Sequence, residues 1–332
     1  MKNFVKKHLI PFLRKLGRPL AFFFDLLIVP FLMISSFTFL FYRWVGSKRF
    51  PLSTTLLKKI GVFPIRDHHY EPFFNDAHLK HPLDKDRNLP GIDFNLSQQL
   101  EFLKQLDFSN DFKGFLEKES RNNTFRSFQI NNGSFGPGDA DFLFNFIRYL
   151  KPSKVIEIGS GNSTLVLKGA LEINRREGKD SEHLCIEPYK NWLDEMENIT
   201  IVKEKLEDTD ISWSENLNQG DFLFIDSSHM IRPQGDVLYE YLEILPKLKL
   251  GVIVHVHDIF SPRDYPQQWI QKDVRFWNEQ YLLEALLGNS SRYEVLASLN
   301  FLKQSKFEEL SKICKYLTKE SEPGSFYFRI IN

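Results

Sequence analysis

Two apolar runs of this 332-residue chain end in side chains that can do acid–base or metal chemistry. The run "DFLFIDSSH" ends in Asp226 and His229, and the run "GVIVHVHDIF" carries His255, His257 and Asp258. A histidine titrates near neutral pH and can take a proton from a hydroxyl group. Carboxylates can hold a divalent cation, which lowers the pKa of a bound hydroxyl. These residues predict a site for proton transfer, for metal binding, or for both.

Both runs are predicted strands of one α/β sheet. From residue 136 onward, apolar strands alternate with helical patterns, which is typical of a doubly wound, mostly parallel sheet covered on both faces. The predicted helices cover Asp139 to Leu150, Thr164 to Glu172, Asp236 to Leu248 and Phe276 to Leu287. Ligands of such sheets bind outside the carboxyl ends of the strands. The polar residues are therefore expected at the end of the sheet where chemistry occurs.

A second group of residues, around the first predicted strand, favours a nucleotide-like ligand. The stretch "EIGSGNST" sets Glu157, Gly159, Gly161 and Ser163 at a strand-to-helix turn. Glycines permit a tight turn and close approach of the backbone to a ligand, and the helix N-terminus favours an anionic group. Glu187 ends the next strand, where a carboxylate can accept hydrogen bonds from ribose hydroxyls. A dinucleotide dehydrogenase is the rival, but the turn departs from GxGxxG.

With these motifs, residues 136–332 resemble the class I S-adenosylmethionine-dependent methyltransferases. That family opens its fold with E/D-x-G-x-G and ends its second strand on an acid, as this chain does. The resemblance implies a seven-stranded Rossmann-like sheet with a reversed C-terminal hairpin. It also implies that Glu157, Gly159 and Gly161, with Ser163 beside them, line the methionine part of S-adenosylmethionine, and that Glu187 holds the ribose.

A narrower likeness concerns the acceptor side of the site. The segments "FGPGDA", "FIDSSH" and "VHVHDIFSPRDYP" look like a bacterial subgroup of small-molecule and sugar O-methyltransferases. Some macrolide-sugar members pair D-x-x-H after strand four with two acids after strand five. This likeness implies that Asp226 and Asp258 bind a metal and that His229 is the base. His257 stands where an acid is expected, as a further candidate ligand, so Mg, Mn and Fe, and catalysis without metal, all stay open.

The N-terminal part of the chain has a different character. Leu20 to Tyr42 is long enough to cross a bilayer, with Asp25 as its single charge and Pro30 near its middle. Basic residues flank it on both sides, so the positive-inside rule selects no orientation. We expect a spanning or re-entrant membrane anchor, with the catalytic domain in the cytoplasm. A buried helix of a soluble domain is the alternative.

These patterns divide the chain into residues 1–50 as anchor, 51–135 as a helical or loop extension, and 136–332 as the methyltransferase domain. The 43 basic and 43 acidic side chains argue against a nucleic-acid binder. The expected function is methylation of a sugar, glycan or other small hydroxylated acceptor at the membrane surface. A metal-dependent oxygenase using His255, His257 and Asp258, and a non-catalytic module that binds S-adenosylmethionine, are the alternatives. The sequence indicates no oligomeric state.

Overall fold

The computed structural model describes residues 18–68, 71–122, 127–189 and 191–332. The chain forms two compact units, Met1–Leu79 and Lys80–Asn332. The boundaries expected at residues 50 and 135 stay a prediction. The basic residues that precede position 18 lie outside the described residues.

The first unit is built on one long helix. Helix α1 spans Arg18–Val45 and includes Pro30. A 3₁₀ turn, Ser47–Arg49, leads into helix α2, Pro51–Ile60, and a second 3₁₀ turn covers Asp76–His78. The segment from residue 21 to residue 45 has the length and the hydropathy to cross a membrane, and none of its most apolar stretch is buried.

The second unit contains a mixed, mostly parallel sheet in the order β3-β2-β1-β4-β5-β7-β6. Strands β1 to β5 run parallel, and β7 pairs antiparallel with both β5 and β6, which confirms the reversed hairpin. The strands are β1 Lys154–Ile158, β2 Glu182–Ile186, β3 Thr200–Val202, β4 Phe222–Ile225, β5 Ile253–Val256, β6 Tyr293–Ser298 and β7 Phe326–Ile330.

Helices cover both faces of this sheet. The helices of the second unit are α3 Leu96–Leu103, α4 Ser109–Asn122, α5 Asp139–Leu150, α6 Asn162–Arg176, α7 Ser212–Glu215, α8 Asp236–Tyr239, α9 Glu279–Gly288, α10 Leu299–Ser305 and α11 Phe307–Ser311. The helix expected up to Leu248 is broken, because α8 continues as a π turn, Glu240–Ile244, and a 3₁₀ turn that contains Pro246. The helix expected from Phe276 begins only at Glu279.

The core consists of two apolar clusters, one on each face of the sheet. Successive residues of a strand point to opposite faces, so Phe222 and Phe224 of β4 join one cluster while Leu223 and Ile225 join the other. The first cluster also contains Phe112 of α4. Helix α4, which precedes residue 135, therefore contributes to the core of the second unit.

Candidate active site

Strand register brings the polar ends of three neighbouring strands together. Ile225 of β4 pairs with Ile158 of β1 on one side and with Val256 of β5 on the other. The next residue along each strand is then Asp226, Gly159 or His257. Because parallel strands end at the same edge of a sheet, these residues lie side by side.

Gly159 is required by both its backbone and its surroundings. Its φ is +76°, in the region that favours glycine, and an added Cβ would lie 2.0 Å from the carbonyl oxygen of Asp226. No other residue fits without moving the end of β4. The loop after β1 is thus held against the residue that begins the chemical site.

The carboxylate of Glu157 is fully buried beneath this loop and accepts hydrogen bonds from several groups. Oε1 lies 2.6 Å from Nε2 of His183 and accepts from the thiol of Cys185 at 3.2 Å. Oε2 accepts from the hydroxyls of Thr164 at 3.1 Å and Ser163 at 3.4 Å. We call these five residues the Glu157 network. It fixes the start of α6, and a direct contact of Glu157 or Ser163 with a cofactor stays a prediction.

Glu187 ends β2 beside a cavity. Its two carboxylate oxygens accept the backbone N–H groups of Tyr189, at 2.7 Å, and of Ser160, at 3.3 Å. It lines, together with Gly159 and Asp226, a cavity of about 570 Å³. That volume lies within the usual range for small-molecule and cofactor sites.

The polar residues that follow β4 and β5 converge at the edge of this cavity. Nε2 of His229 lies 3.4 Å from Oδ1 of Asp226 and 3.4 Å from Oδ2 of Asp258. Nδ1 of His257 lies 3.4 Å from Oδ1 of Asp226 and 3.6 Å from Oδ1 of Asp258. We call these four residues the Asp–His cluster. Two imidazole nitrogens and two carboxylates thus face one point.

A second carboxylate stands behind each imidazole. Nδ1 of His229 is 2.8 Å from Oε2 of Glu279, a fully buried group whose Oε1 also accepts the hydroxyl of Tyr241 at 3.1 Å. Nε2 of His257 is 3.7 Å from Oδ2 of Asp139. A proton on Nδ1 of His229 is therefore held by Glu279, and Nε2 is directed into the cluster.

The backbone around His229 is also fixed. The backbone N–H groups of Asn278 and Glu279 donate to the carbonyl of His229 at 3.0 and 3.3 Å, and the indole of Trp277 lies 4.3 Å from its ring. His229 and Asp258 have φ values of +60° and +59°. Left-handed backbone at such residues is uncommon and costs free energy, and it frequently accompanies functional sites.

The charges of the cluster perturb one another. Burial alone would raise the pKa of Asp226, but the neighbouring His257 and His229 rings hold it well below its usual range. Burial raises the pKa of Asp258.

For the two imidazoles, the neighbouring carboxylates outweigh the effect of burial on the pKa. Burial opposes protonation of both rings, yet hydrogen bonds to Asp226 and Glu279 raise the pKa of His229 well above its usual value. The charges of Asp258 and Asp226 do the same for the pKa of His257. The site therefore attracts positive charge, supplied by protons or by a cation.

The donor set fits a divalent cation. Atoms that bind one ion through bonds of about 2.1 Å lie roughly 3–3.5 Å apart, because of the ligand geometry. The carboxylate and imidazole atoms of the cluster have this spacing, and Asp226, His229 and Asp258 offer ligand atoms within 4.8 Å of one another. Nδ1 of His257 is buried and has no hydrogen-bond partner within the described part of the chain. Mixed nitrogen and oxygen ligands suit Mn or Fe better than Mg.

A second, smaller cavity lies on the other side of the cluster. Its volume is about 370 Å³, and His257 and Asp258 line it together with Ser134, Trp269 and Glu322. Asp226 faces the larger cavity and Asp258 the smaller one. The cluster thus stands between two spaces that can each hold a small molecule.

His255 lies apart from the cluster. It is packed in the core with its ring centroid 4.1 Å from that of Tyr327, and neither ring nitrogen has a hydrogen-bond partner among the described residues. Burial lowers its pKa well below the usual value. His255 does not join the cluster, where His229 lies beside Asp226 and Asp258, and the oxygenase alternative stays a prediction. Trp277 precedes α9 and packs on His229.

Three residues of the site were missed: Glu279, Asp139 and Trp277. Glu279 and Asp139 look like ordinary first-turn acids of helices. Sequence spacing offers no signal for them, since Glu279 is 50 residues from His229. The polar stretch from Arg66 to Tyr70, for which the sequence favours an acceptor-pocket cover and an exposed loop equally, falls partly outside the described residues.

Similar proteins were found by three comparisons. Residues 156–259 match a family model described as a methyltransferase domain. An uncharacterized protein of Archaeoglobus fulgidus is 29% identical over 175 residues, which cover 49% of this chain and 77% of that protein.

Solved structures with similarity include an O-methyltransferase from Bacillus cereus in complex with SAH, at 12% identity and a TM-score of 0.36, covering 67% of this chain and 91% of that one. Another is cofactor-bound Rv0187 from MTB, at 12% identity and a TM-score of 0.38, covering 75% of this chain and 100% of that one. Residues 156–259 therefore match a methyltransferase domain, and the seven-stranded sheet with its reversed hairpin is the fold that the sequence resemblance implies.

Proposed function

We propose that the protein transfers the methyl group of S-adenosylmethionine to a hydroxyl oxygen of a sugar, a glycan or another small hydroxylated acceptor. The observation that carries this proposal is the position of the Asp–His cluster between two cavities. In the proposed arrangement, the larger cavity holds the cofactor and the smaller one the acceptor. The smaller cavity offers polar groups and the indole of Trp269, a combination that suits a compact polar molecule.

The cofactor is held by the ends of β1 and β2. Glu187 accepts the ribose hydroxyls, and the loop from Gly159 to Gly161 lets the backbone approach the methionine part. This loop lies against Asp226, so the sulfonium methyl group is presented toward the cluster.

Methyl transfer is an in-line displacement between the two cavities. The acceptor oxygen attacks the methyl carbon, the carbon–sulfur bond breaks, and S-adenosylhomocysteine leaves with the electron pair of that bond. The acceptor proton passes to Nε2 of His229, which accepts it in the neutral form of the ring. Glu279, which holds Nδ1, keeps this nitrogen directed at the acceptor and stabilises the imidazolium that forms.

Asp226, Asp258 and His257 are the proposed ligands of a divalent cation. When bound, such a cation supplies Lewis acidity that lowers the pKa of the acceptor hydroxyl. The ligands also orient the acceptor, and Asp139 orients His257 from behind.

Metal dependence can be tested by binding as well as by activity. Asp258→Asn should weaken the binding of Mn²⁺ by about ten-fold or more, measured by calorimetry, since the loss of even a group that supports a ligand has an effect of this size. A chelator should abolish methyl transfer from labelled S-adenosylmethionine to a panel of hydroxylated acceptors, and added metal should restore it. Asp84→Asn changes an exposed acid and serves as the control. Chelator-resistant activity together with unchanged metal binding would exclude the metal and leave base catalysis by His229.

We propose further that α1 anchors the enzyme in a membrane, with the methyltransferase domain in the cytoplasm. The 20 residues after Asp25, up to Val45, span about 30 Å as a helix, which is the thickness of the hydrocarbon core. Asp25 then lies near one interface rather than in the middle of the bilayer, which reduces the cost of its charge. An enzyme attached in this way would meet lipid-linked acceptors.

The attachment is tested by removing the anchor. A shortened chain that begins at Ser53 should stay in the soluble fraction and still bind S-adenosylmethionine, whereas the full chain should sediment with membranes. Full-length protein found entirely in the soluble fraction would refute the anchor.

A further inference from the structure

We infer that helix α2 lies flat on the membrane surface and binds anionic lipid headgroups, as a second contact beside α1. This inference rests on the proposed membrane attachment. It concerns an elbow that we define as residues 41–65, where the chain leaves the long helix and turns into a short one.

The elbow is held by specific side-chain contacts. The hydroxyl of Tyr42, near the end of α1, lies 2.5 Å from that of Thr54 in α2. Thr54 also donates to the backbone carbonyls of Ser47 and Phe50, both at 2.9 Å. The rings of Tyr42 and Phe50 lie 5.9 Å apart. The direction of α2 relative to the end of α1 is therefore fixed within this unit.

The sequence also fixes the ends of α2. Pro51 occupies its first turn, where the missing N–H is not needed, and Gly61 closes it in the left-handed conformation with φ +83°. The Gly61 N–H donates to the carbonyls of Leu57 and Lys58. A short helix with both ends specified can keep one face in a constant orientation.

One face of α2 is apolar and unused by the elbow. Leu52, Leu56 and Ile60 recur at every fourth residue, which places them on one side of the helix. They are 86%, 57% and 47% exposed. Thr54, which lies about 160° around the helix from Leu56 at 100° per residue, is half-buried. Exposed large apolar side chains in such a stripe mark an interaction surface.

The charge of this segment indicates anionic lipid as its partner, rather than a protein helix that carries both acidic and basic side chains. Residues 26–66 contain six basic side chains and no acidic one. Four of the basic side chains are exposed: Lys48, Arg49, Lys58 and Lys59. Arg43, by contrast, is paired with Glu71 at 2.5 Å. Basic residues beside a membrane helix attract anionic lipids.

The apolar stripe follows the proposed anchor closely in the chain. Trp44, in the last turn of α1, is 84% exposed, and tryptophan is enriched at the membrane–water interface. Trp44 thus marks the level at which α1 would leave the bilayer, and α2 follows within a few residues. A helix with an apolar face and basic flanks at that level is suited to lie in the interface plane.

The test uses the full chain with a fluorescent label on a single introduced cysteine. Both native cysteines, Cys185 and Cys314, are fully buried, so a maleimide label should react only at the new position. Leu56→Cys places the label on the stripe. Thr55→Cys is the matched control, because this adjacent residue is exposed but points about 100° away.

The vesicles contain phosphatidylcholine and phosphatidylserine whose acyl chains carry bromine near the headgroup. Bromine quenches the fluorescence only of a label that reaches the lipid. We expect strong quenching and a blue shift at position 56, weak quenching at position 55, and a smaller effect at 56 when phosphatidylserine is omitted. Equal quenching at both positions, or none at either in protein that floats with the vesicles, would overturn the inference and leave the anchor intact. An effect at 56 that does not depend on phosphatidylserine would overturn the role of anionic lipid. Protein that does not float with vesicles would refute the anchor itself, and this inference with it.

Discussion

Two polar clusters at the carboxyl ends of the strands, one buried and one partly exposed, differ in how far their hydrogen bonds are satisfied. In the Glu157 network, each carboxylate oxygen accepts hydrogen bonds at 2.6–3.4 Å, and the chain itself supplies the donors. In the Asp–His cluster, nitrogen and oxygen atoms face one another at 3.4–3.6 Å, and Nδ1 of His257 is left without a hydrogen bond within the described residues. Both clusters offer ligand-type atoms within 4.8 Å of one another.

The difference separates a structural role from a chemical one. A saturated polar network stabilises one conformation, because each donor would be costly to leave unpaired. An unsaturated cluster of charges costs free energy in the absence of a ligand, and such sites are where proteins bind ions or do chemistry. Ligand-type residues alone do not distinguish the two clusters, whereas their hydrogen bonds do.

The largest expected effect comes from breaking the saturated network. Glu157→Ala should lower the free energy of unfolding by about 3–5 kcal/mol, because it leaves a buried histidine and two hydroxyls without their acceptor. Urea unfolding measures this loss. Glu182→Ala removes an exposed acid at the start of β2, 3.2 Å from Lys154, and should change the stability by less than about 0.5 kcal/mol. Equal stability of the two variants would contradict the structural role of Glu157.

A substitution in the Asp–His cluster should instead lower the turnover number. His229→Ala should lower kcat by about 100-fold or more, the usual contribution of a general base, and should leave the affinity for S-adenosylmethionine nearly unchanged. Steady-state kinetics and calorimetry give the two numbers. His81→Ala, at an exposed position, is the control. If the variant binds metal more weakly than the wild type, His229 is a ligand rather than the base.

Substitution of Glu187 should have the smallest of these effects, and the quantity affected is the affinity for S-adenosylmethionine. Glu187→Ala should weaken S-adenosylmethionine binding by about 1.5–3 kcal/mol, the range for hydrogen bonds to a charged group. Calorimetry on the folded variant checks this, with Glu204→Ala, an exposed acid on the segment after β3, as the control. Unchanged affinity would mean that the ribose is held elsewhere.

Much of the fold could be predicted from residue patterns. The helix over Asp139–Leu150 has the expected bounds, and β4 and β5 lie within the two predicted apolar runs. The helix α4 was not predicted, because its polar sequence, SNDFKGFLEKESRN, gives a weak periodic signal and its position depends on packing. The breaks in the helix after Tyr239 were not predicted either. They too depend on how the local turns pack against the core.

By itself, the sequence determined which side chains end the strands: a glycine that permits close approach, acids that stop β2 and β4, and two imidazoles at β4 and β5. Only the tertiary structure decided how these groups meet. Strand register set Asp226 beside His257, and the packing of α9 placed Glu279 behind His229. Local pattern cannot specify such contacts, because they join residues far apart in the chain through sheet order and helix packing, and because whether a buried polar atom finds a partner depends on all its neighbours at once.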